Sequence, residues 1–173
     1  YSVGVIDWHR KLFDELIPLP DGTSYNSYFI KGEEKNAIID TVEPDFVEDF
    51  LDNLDDLGVE KIDYIISNHA EQDHSGSIPA LLKKFPEAEV LSSKKAKPML
   101  LDLLELEADQ IRAVEDGETV DLGGRTLEFI DTPWVHWPET MSTYLQEENV
   151  LFPCDFFGSH LATSDLFVED HNE

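Results

Sequence analysis

The chain has 173 residues, and its 38 acidic side chains against 12 basic ones give a formal net charge of −26. That balance excludes a nucleic-acid binder, which needs clustered Lys and Arg to neutralise phosphates, and it argues against docking to anionic membrane surfaces. A hydrophobic share of 41% is ample for a core, so the charge is not the signature of a disordered chain.

Short apolar runs alternate with amphipathic stretches along the chain. Residues 3–6, 25–30 and 37–39 read as strands, the first two separated by the turn-rich segment 18–24. Phe46, Val47, Phe50, Leu51, Leu54 and Leu57 then recur at helical spacing. Asp45, Glu48, Asp49, Asp52, Asp55 and Asp56 fill the opposite face, and Gly58 is a natural stop. Residues 62–66 are the near-continuous apolar run expected of a strand buried on both faces. A polar segment, 67–76, leads into an apolar helix over 78–85; 89–91 reads as a short strand and 95–106 as a helix. A second strand-rich stretch follows at 111–114, 119–122, 126–130, 141–145 and 150–152. This mixture predicts an α/β or α+β fold. No apolar run approaches the roughly 20 residues that span a bilayer, and the N-terminus shows no signal-peptide pattern. The one cysteine, Cys154, excludes an intrachain disulfide and fits a cytoplasmic location.

Chemistry concentrates in Ser67-Asn68-His69-Ala70-Glu71-Gln72-Asp73-His74-Ser75-Gly76. In a locally extended loop, residues 69, 71 and 73 point to one side by period-two alternation, and the bend toward the next helix turns His74 in. A single His or Asp here reads as part of a solvated loop. Four potential ligands packed together at the end of a buried strand point instead to a metal. His136 follows the strand 126–130, and Asp155 follows the strand 150–152. Each alone reads as an ordinary packed or polar residue; together they repeat a design in which successive strand ends present ligands.

His69-x-Glu71-x-Asp73-His74, followed by His136 and then Asp155, resembles the ligand pattern of the flavodiiron proteins (A-type flavoproteins). His136-Trp137-Pro138-Glu139-Thr140-Met141, Leu151-Phe152-Pro153-Cys154-Asp155-Phe156-Phe157-Gly158-Ser159-His160 and Thr23-Ser24-Tyr25-Asn26-Ser27-Tyr28 are similar to segments of that family. The resemblance covers essentially the whole chain. It implies a metallo-β-lactamase-like αββα sandwich holding two irons, one on His69, Glu71 and His136, the other on Asp73 and His74, with Asp155 bridging. Glu71 stands where zinc hydrolases of the superfamily usually carry His, and a hard anionic ligand suits iron in two oxidation states. The implied activity is reduction of O2 to water or of NO to N2O, with electrons from FMN in a flavin domain or from a rubredoxin-type donor.

The chain also departs from the family pattern. A seventh ligand, a His well beyond the bridging Asp, has no counterpart; His160 and His171 come too early and read as loop or terminal histidines. A flavodoxin-like FMN domain is missing as well. Residues 1–173 are therefore expected to form a partial domain, roughly the N-terminal half to two-thirds of the sandwich. The inner face of its sheet would be left bare, to be covered by a second copy or by a separately encoded half. A Phe-His pair that many relatives carry near the diiron pocket reads Phe13-Asp14 here, with His9 close by. Cys154 reads as a small buried residue rather than a thiolate ligand. Trp134, Trp137, Phe156 and Phe157 flank the ligands, either as a dry wall or as ordinary core packing. Two further readings stand beside the diiron oxidoreductase. One is a hydrolase of the same superfamily with zinc in place of iron, its metal-bound hydroxide attacking an ester or thioester. The other is a non-catalytic remnant or assembly subunit. The surplus of surface acids resembles proteins of salt-accumulating halophiles, in which molar salt screens self-repulsion.

Overall fold

Alternate residues of the apolar strands part to opposite sides, and this divides the core in two. In the computed structural model, which describes residues 1–165, Ala37 and Ile39 fall in one buried cluster and Ile38 between them in the other. Ile66 and Leu91 likewise belong to the first, Ile65 and Val90 to the second. A strand with both faces buried needs apolar residues at every position, which is why these runs are continuous rather than alternating.

The chain begins with β1 (Val5–Asp7), a two-stranded hairpin of β2 (Leu12–Phe13) and β3 (Ile17–Pro18), and β4 (Thr23–Tyr25), which returns antiparallel to β1. The hairpin lies in a stretch where the sequence shows no strand. The expected strand 25–30 is broken in two, because Asn26-Ser27 leaves the ladder and Ser27 Oγ donates to the Asp40 carbonyl at 2.8 Å.

Next come β5 (Tyr28–Lys31), β6 (Asn36–Ile39), α1 (Val47–Asp56), β7 (Tyr64–Ser67), α2 (Gln72–Ser75), α3 (Ile78–Lys84), β8 (Glu89–Ser93), α4 (Ala96–Leu104) and β9 (Ile111–Val114). Strands β5 to β9 form one sheet in chain order, antiparallel between β5 and β6 and parallel from β6 to β9. The helices cover one face of it: Phe50 and Leu54 of α1, Ile78 and Leu81 of α3, and Ala96 and Leu100 of α4 pack with Ile38, Ile65 and Val90.

The chain then continues as β10 (Thr119–Asp121), β11 (Thr126–Asp131), β12 (Met141–Leu145) and β13 (Val150–Phe152), an antiparallel four-stranded sheet in that order. Val120, Leu127, Phe129, Met141, Leu145 and Phe152 pack onto Ile30, Ala37, Ile39, Ile66, Leu91 and Val114. The described residues are thus three layers, helix on sheet on sheet, matching the metallo-β-lactamase-like expectation. The inner face of the five-stranded sheet is not bare as expected from a truncated sandwich; the second sheet already covers it. Large apolar side chains are exposed instead at Ile6, Trp8, Leu12, Leu16 and Ile17 near the N-terminus and at Val150 and Leu151 of β13. No helix among the described residues is long and apolar enough to cross a membrane.

Candidate metal centre

Strands β6, β7, β12 and β13 end at one rim of the two sheets, and Asn68 ties them together there. Its backbone N–H donates to Asp40 Oδ1 at 2.8 Å, and its carbonyl accepts from Met141 N at 2.9 Å. Its side chain donates to the Phe152 carbonyl at 3.1 Å and accepts from Thr143 Oγ1 at 2.7 Å. With all its polar groups satisfied across both sheets, Asn68 sits fully buried directly before His69.

His69 is buried, and its two ring nitrogens face different groups. Nδ1 lies 2.7 Å from Glu139 Oε1. Nε2 lies 3.1 Å from Glu71 Oε2, 3.2 Å from His136 Nε2 and 3.6 Å from Asp155 Oδ2. His136 Nε2 is in turn 3.2 Å from Asp155 Oδ2 and 3.5 Å from Glu71 Oε2. Four ligand atoms, from His69, Glu71, His136 and Asp155, therefore lie within 4.8 Å of one another.

A second group adjoins the first. His74 Nε2 donates to Asp155 Oδ1 at 2.9 Å and stands 3.7 Å from Asp73 Oδ2. Asp155 consequently splits its two oxygens, Oδ2 toward His69 and His136 and Oδ1 toward His74. Behind His74, Asp40 Oδ2 lies 3.6 Å from Nδ1, and the His74 carbonyl accepts from both Thr41 N at 2.6 Å and Thr41 Oγ1 at 2.9 Å. All six residues named from the sequence converge on this rim. The local conformation differs in one respect: only His69 and Glu71 follow extended alternation. Asp73 and His74 sit on the one-turn helix α2, in which the N–H groups of His74 and Ser75 donate to the Glu71 carbonyl.

The electrostatics match this crowding. Burial opposes the charged form of His69, but hydrogen bonds to Glu139 and Glu71 outweigh it and push the imidazole up to about 9. Burial likewise opposes charge on His74, and Asp155 and Asp40 reverse the balance, raising it well above the ordinary value. Burial pushes the Asp73 carboxyl up to about 6, against the pull of His74. Asp155 goes the other way: its burial penalty is overcome by His74, His69 and His136, which bring it down to about 2.

Such a set fits two metal cations. Two imidazole nitrogens 3.2 Å apart have no favourable contact unless one carries a proton or a cation lies against both. Asp73 Oδ1 is buried with no hydrogen-bond partner among the described residues, which is costly for a carboxylate unless a cation satisfies it. The donors are all nitrogen and oxygen, and three are carboxylates, the choice expected of iron over a soft metal. Cys154 is not part of the set; burial pushes its thiol up to about 12, and Sγ donates to the Met141 carbonyl at 3.7 Å.

A cavity of about 400 Å³ opens over Glu71, Asp73, His74, His136 and Asp155. Asp14 and His160 also line it; His160 Nδ1 is 3.0 Å from Thr23 Oγ1, and its ring packs on Phe13 at 4.8 Å. His160 is thus a loop histidine outside the ligand group, as expected, while His171 lies outside the described residues. His9 is not among the cavity's lining residues. Of the four aromatic residues near the ligands, Trp137 packs edge-on against His69 at 5.0 Å and Phe156 lines the cavity. Phe157 stacks on Phe156 at 4.1 Å and also lines the cavity, although it is 80% exposed and outside the core, while Trp134, 72% exposed, neither lines the cavity nor joins the core. Two acids that the sequence did not single out belong to the site: Asp40 at the end of β6, and Glu139 three residues after His136. Asp40 offered only an acid next to an apolar strand, whereas Glu139 lay in the family-like segment 136–141, where its place three residues after a ligand was the available signal.

Residues 23–173 match the family model described as "ODP family beta lactamase". The type A flavoprotein fprA of Rhodobacter capsulatus is 43% identical over 168 residues, covering 95% of this chain and 39% of the relative. The crystal structure of the flavodiiron protein from Giardia intestinalis superposes with a TM-score of 0.89 at 38% identity, over 95% of this chain and 40% of that one. Rubredoxin oxygen:oxidoreductase from Desulfovibrio gigas gives 0.90 at 32% identity, over 95% and 41%. The chain therefore spans about two fifths of the length of the relatives it matches.

Proposed function

Because the chain belongs to the ODP β-lactamase family and matches flavodiiron proteins over about two fifths of their length, we propose that it is the N-terminal part of a β-lactamase-like diiron domain and the metal-binding module of a diiron oxidoreductase that reduces O2 to water or NO to N2O. In this reading His69, Glu71 and His136 hold one iron, Asp73 and His74 hold the other, and Asp155 bridges them. The observation that carries it is the division of Asp155, with one oxygen against each histidine group. Two irons bound there supply electrons and Lewis acidity to a small oxidant.

The chain's own residues provide the setting. Glu71 and Asp155 bring negative charge that steadies the higher oxidation state, where a neutral imidazole would not. Trp137 and the buried His69 shield one side from water, while His136 and Asp155 face the cavity, where a diatomic molecule can enter. Thr41 holds the carbonyl of His74 and so fixes α2.

Residues 1–173 in this proposal are one partial β-lactamase-like domain. Electrons come from outside these residues, from a flavin domain carrying FMN or from a rubredoxin-type partner, as the name of the Desulfovibrio relative indicates for that protein. A second copy or a further polypeptide completes the fold over the exposed β13 side. The test is anaerobic reconstitution with Fe(II), followed by metal analysis and consumption of O2 or NO with a reduced flavin donor. Two irons per chain and turnover that is lost in D155A are expected. Zinc at full occupancy with esterase turnover would replace the reading by a hydrolase, and failure to hold any metal would leave a non-catalytic subunit.

A further inference from the structure

The segment that carries His136 also carries Glu139, and the proposed function leaves this acid unused. Among the described acidic residues only Asp7, Asp40 and Glu139 are buried, and Glu139 is the most enclosed of the three, only 1% exposed. A carboxylate is buried at high cost unless charge-assisted hydrogen bonds hold it. Here Oε1 has two neighbours, His69 Nδ1 at 2.7 Å and Ala70 N at 3.2 Å. Ser93 Oγ anchors the backbone of the same residue, donating to its carbonyl at 2.6 Å.

The proton positions follow from the chemistry of the acceptors. Ala70 N also lies 3.0 Å from His69 Nδ1, so Nδ1 has two possible roles, acceptor from Ala70 or donor to Glu139. A carboxylate accepts only, and its contact with Nδ1 is the shorter one. Nδ1 therefore carries the hydrogen, and the Ala70 N–H turns to Glu139 Oε1. A neutral His69 is then left with its lone pair on Nε2, the atom that faces Glu71, His136 and Asp155.

We infer that Glu139 is the positioning residue of this centre: its carboxylate holds His69 in the tautomer and ring orientation that present Nε2 to a metal, and through the 136–139 segment it couples that orientation to the placement of His136. A carboxylate behind a ligating imidazole raises the basicity of the ring and fixes its direction. The inference rests on the proposed metal centre for its consequence, though the tautomer can be tested without metal.

The experiment uses the 173-residue chain and its E139Q and E139D variants, with Co²⁺ as the metal probe against a competing chelator. E139Q is expected to weaken Co²⁺ binding by about 10- to 100-fold while far-UV dichroism and thermal midpoint stay those of the parent chain, and E139D is expected to recover part of the loss. In ¹⁵N-histidine-labelled parent chain at alkaline pH, where the metal-free ring is neutral, long-range ¹H–¹⁵N spectra should show His69 with Nδ1 protonated and Nε2 bare, assigned by its loss in H69Q and altered in E139Q. Binding in E139Q as tight as in the parent, or a fall that only tracks lost folding in both variants, would overturn the inference. If E139Q does not fold, the parent spectrum decides: Nδ1 without a proton overturns it. A parent chain that binds no Co²⁺ yet shows, with the ring neutral, a protonated Nδ1 and a bare Nε2 would sink the metal reading and leave the positioning of His69 standing.

Discussion

Asn68→Ala is the sharpest probe of how the two sheets are joined beneath the site. The substitution keeps both backbone bonds of residue 68 and removes its two side-chain bonds, one to the Phe152 carbonyl and one from Thr143 Oγ1. Both partners are buried, Thr143 completely. An unsatisfied buried polar group costs ~1–3 kcal/mol, so two of them total about 2–6 kcal/mol by that measure. The Thr143 hydroxyl can rotate toward another acceptor, which puts the expected loss in the lower part, about 2–4 kcal/mol. For a chain of this size a loss of that order lowers the thermal midpoint by roughly 4–15 °C. Thr143→Val gives the complementary single variant, and the double variant closes the cycle. Once Asn68 is gone, removing the orphaned hydroxyl should cost little, so the two losses should fall short of additive by about 1 kcal/mol or more. Thermal and urea unfolding with tryptophan fluorescence measure all four forms. An N68A loss below about 0.5 kcal/mol, the range of an ordinary surface change, or strict additivity would refute the staple.

Three further outcomes test other parts. Gly76 caps α2 at φ −63, so alanine is allowed by its dihedrals, but a Cβ there would lie 2.5 Å from the Gln72 carbonyl oxygen and 2.6 Å from Pro44 Cγ. G76A should cost about 1–3 kcal/mol by overpacking and weaken the second metal equivalent in a Co²⁺ titration more than the first; equal effects on both would argue against an α2-borne second position. Glu71→His should shift the metal recovered from mixed Fe(II)/Zn(II) loading toward zinc, since imidazole replaces a hard anion; an unchanged ratio would remove Glu71 from metal choice. The thermal midpoint should rise from low salt to molar KCl as the excess negative charge is screened, and a flat response would remove the halophile reading.

Much of this molecule is legible in its sequence because the relevant signal is local. The apolar positions from Phe46 to Leu57 announce α1, and Phe50 and Leu54 are indeed its buried residues. The continuous run into Tyr64–Ser67 announces a strand covered on both faces, and the ligands sit where that strand ends. What escaped depends on distant partners. Glu139 looks like one more acid until the fold brings His69 to it from 70 positions away, and Asp40 becomes a site residue only through Asn68 and His74. The short helix α2 has no periodicity to read; its single turn is held from outside by Thr41. The second sheet's strands were visible, but not that they would close over Ile39, Ile66 and Leu91, since strand pairing and layer order are set by tertiary contacts rather than by propensity.

The most direct measurement is anomalous diffraction at the iron edge from crystals of the chain reconstituted anaerobically with Fe(II). Two peaks are expected, one among His69, Glu71 and His136 and one beside Asp73 and His74, with Asp155 between them. A single peak, a zinc edge in place of the iron edge, or iron bound away from these six residues would contradict the diiron assignment.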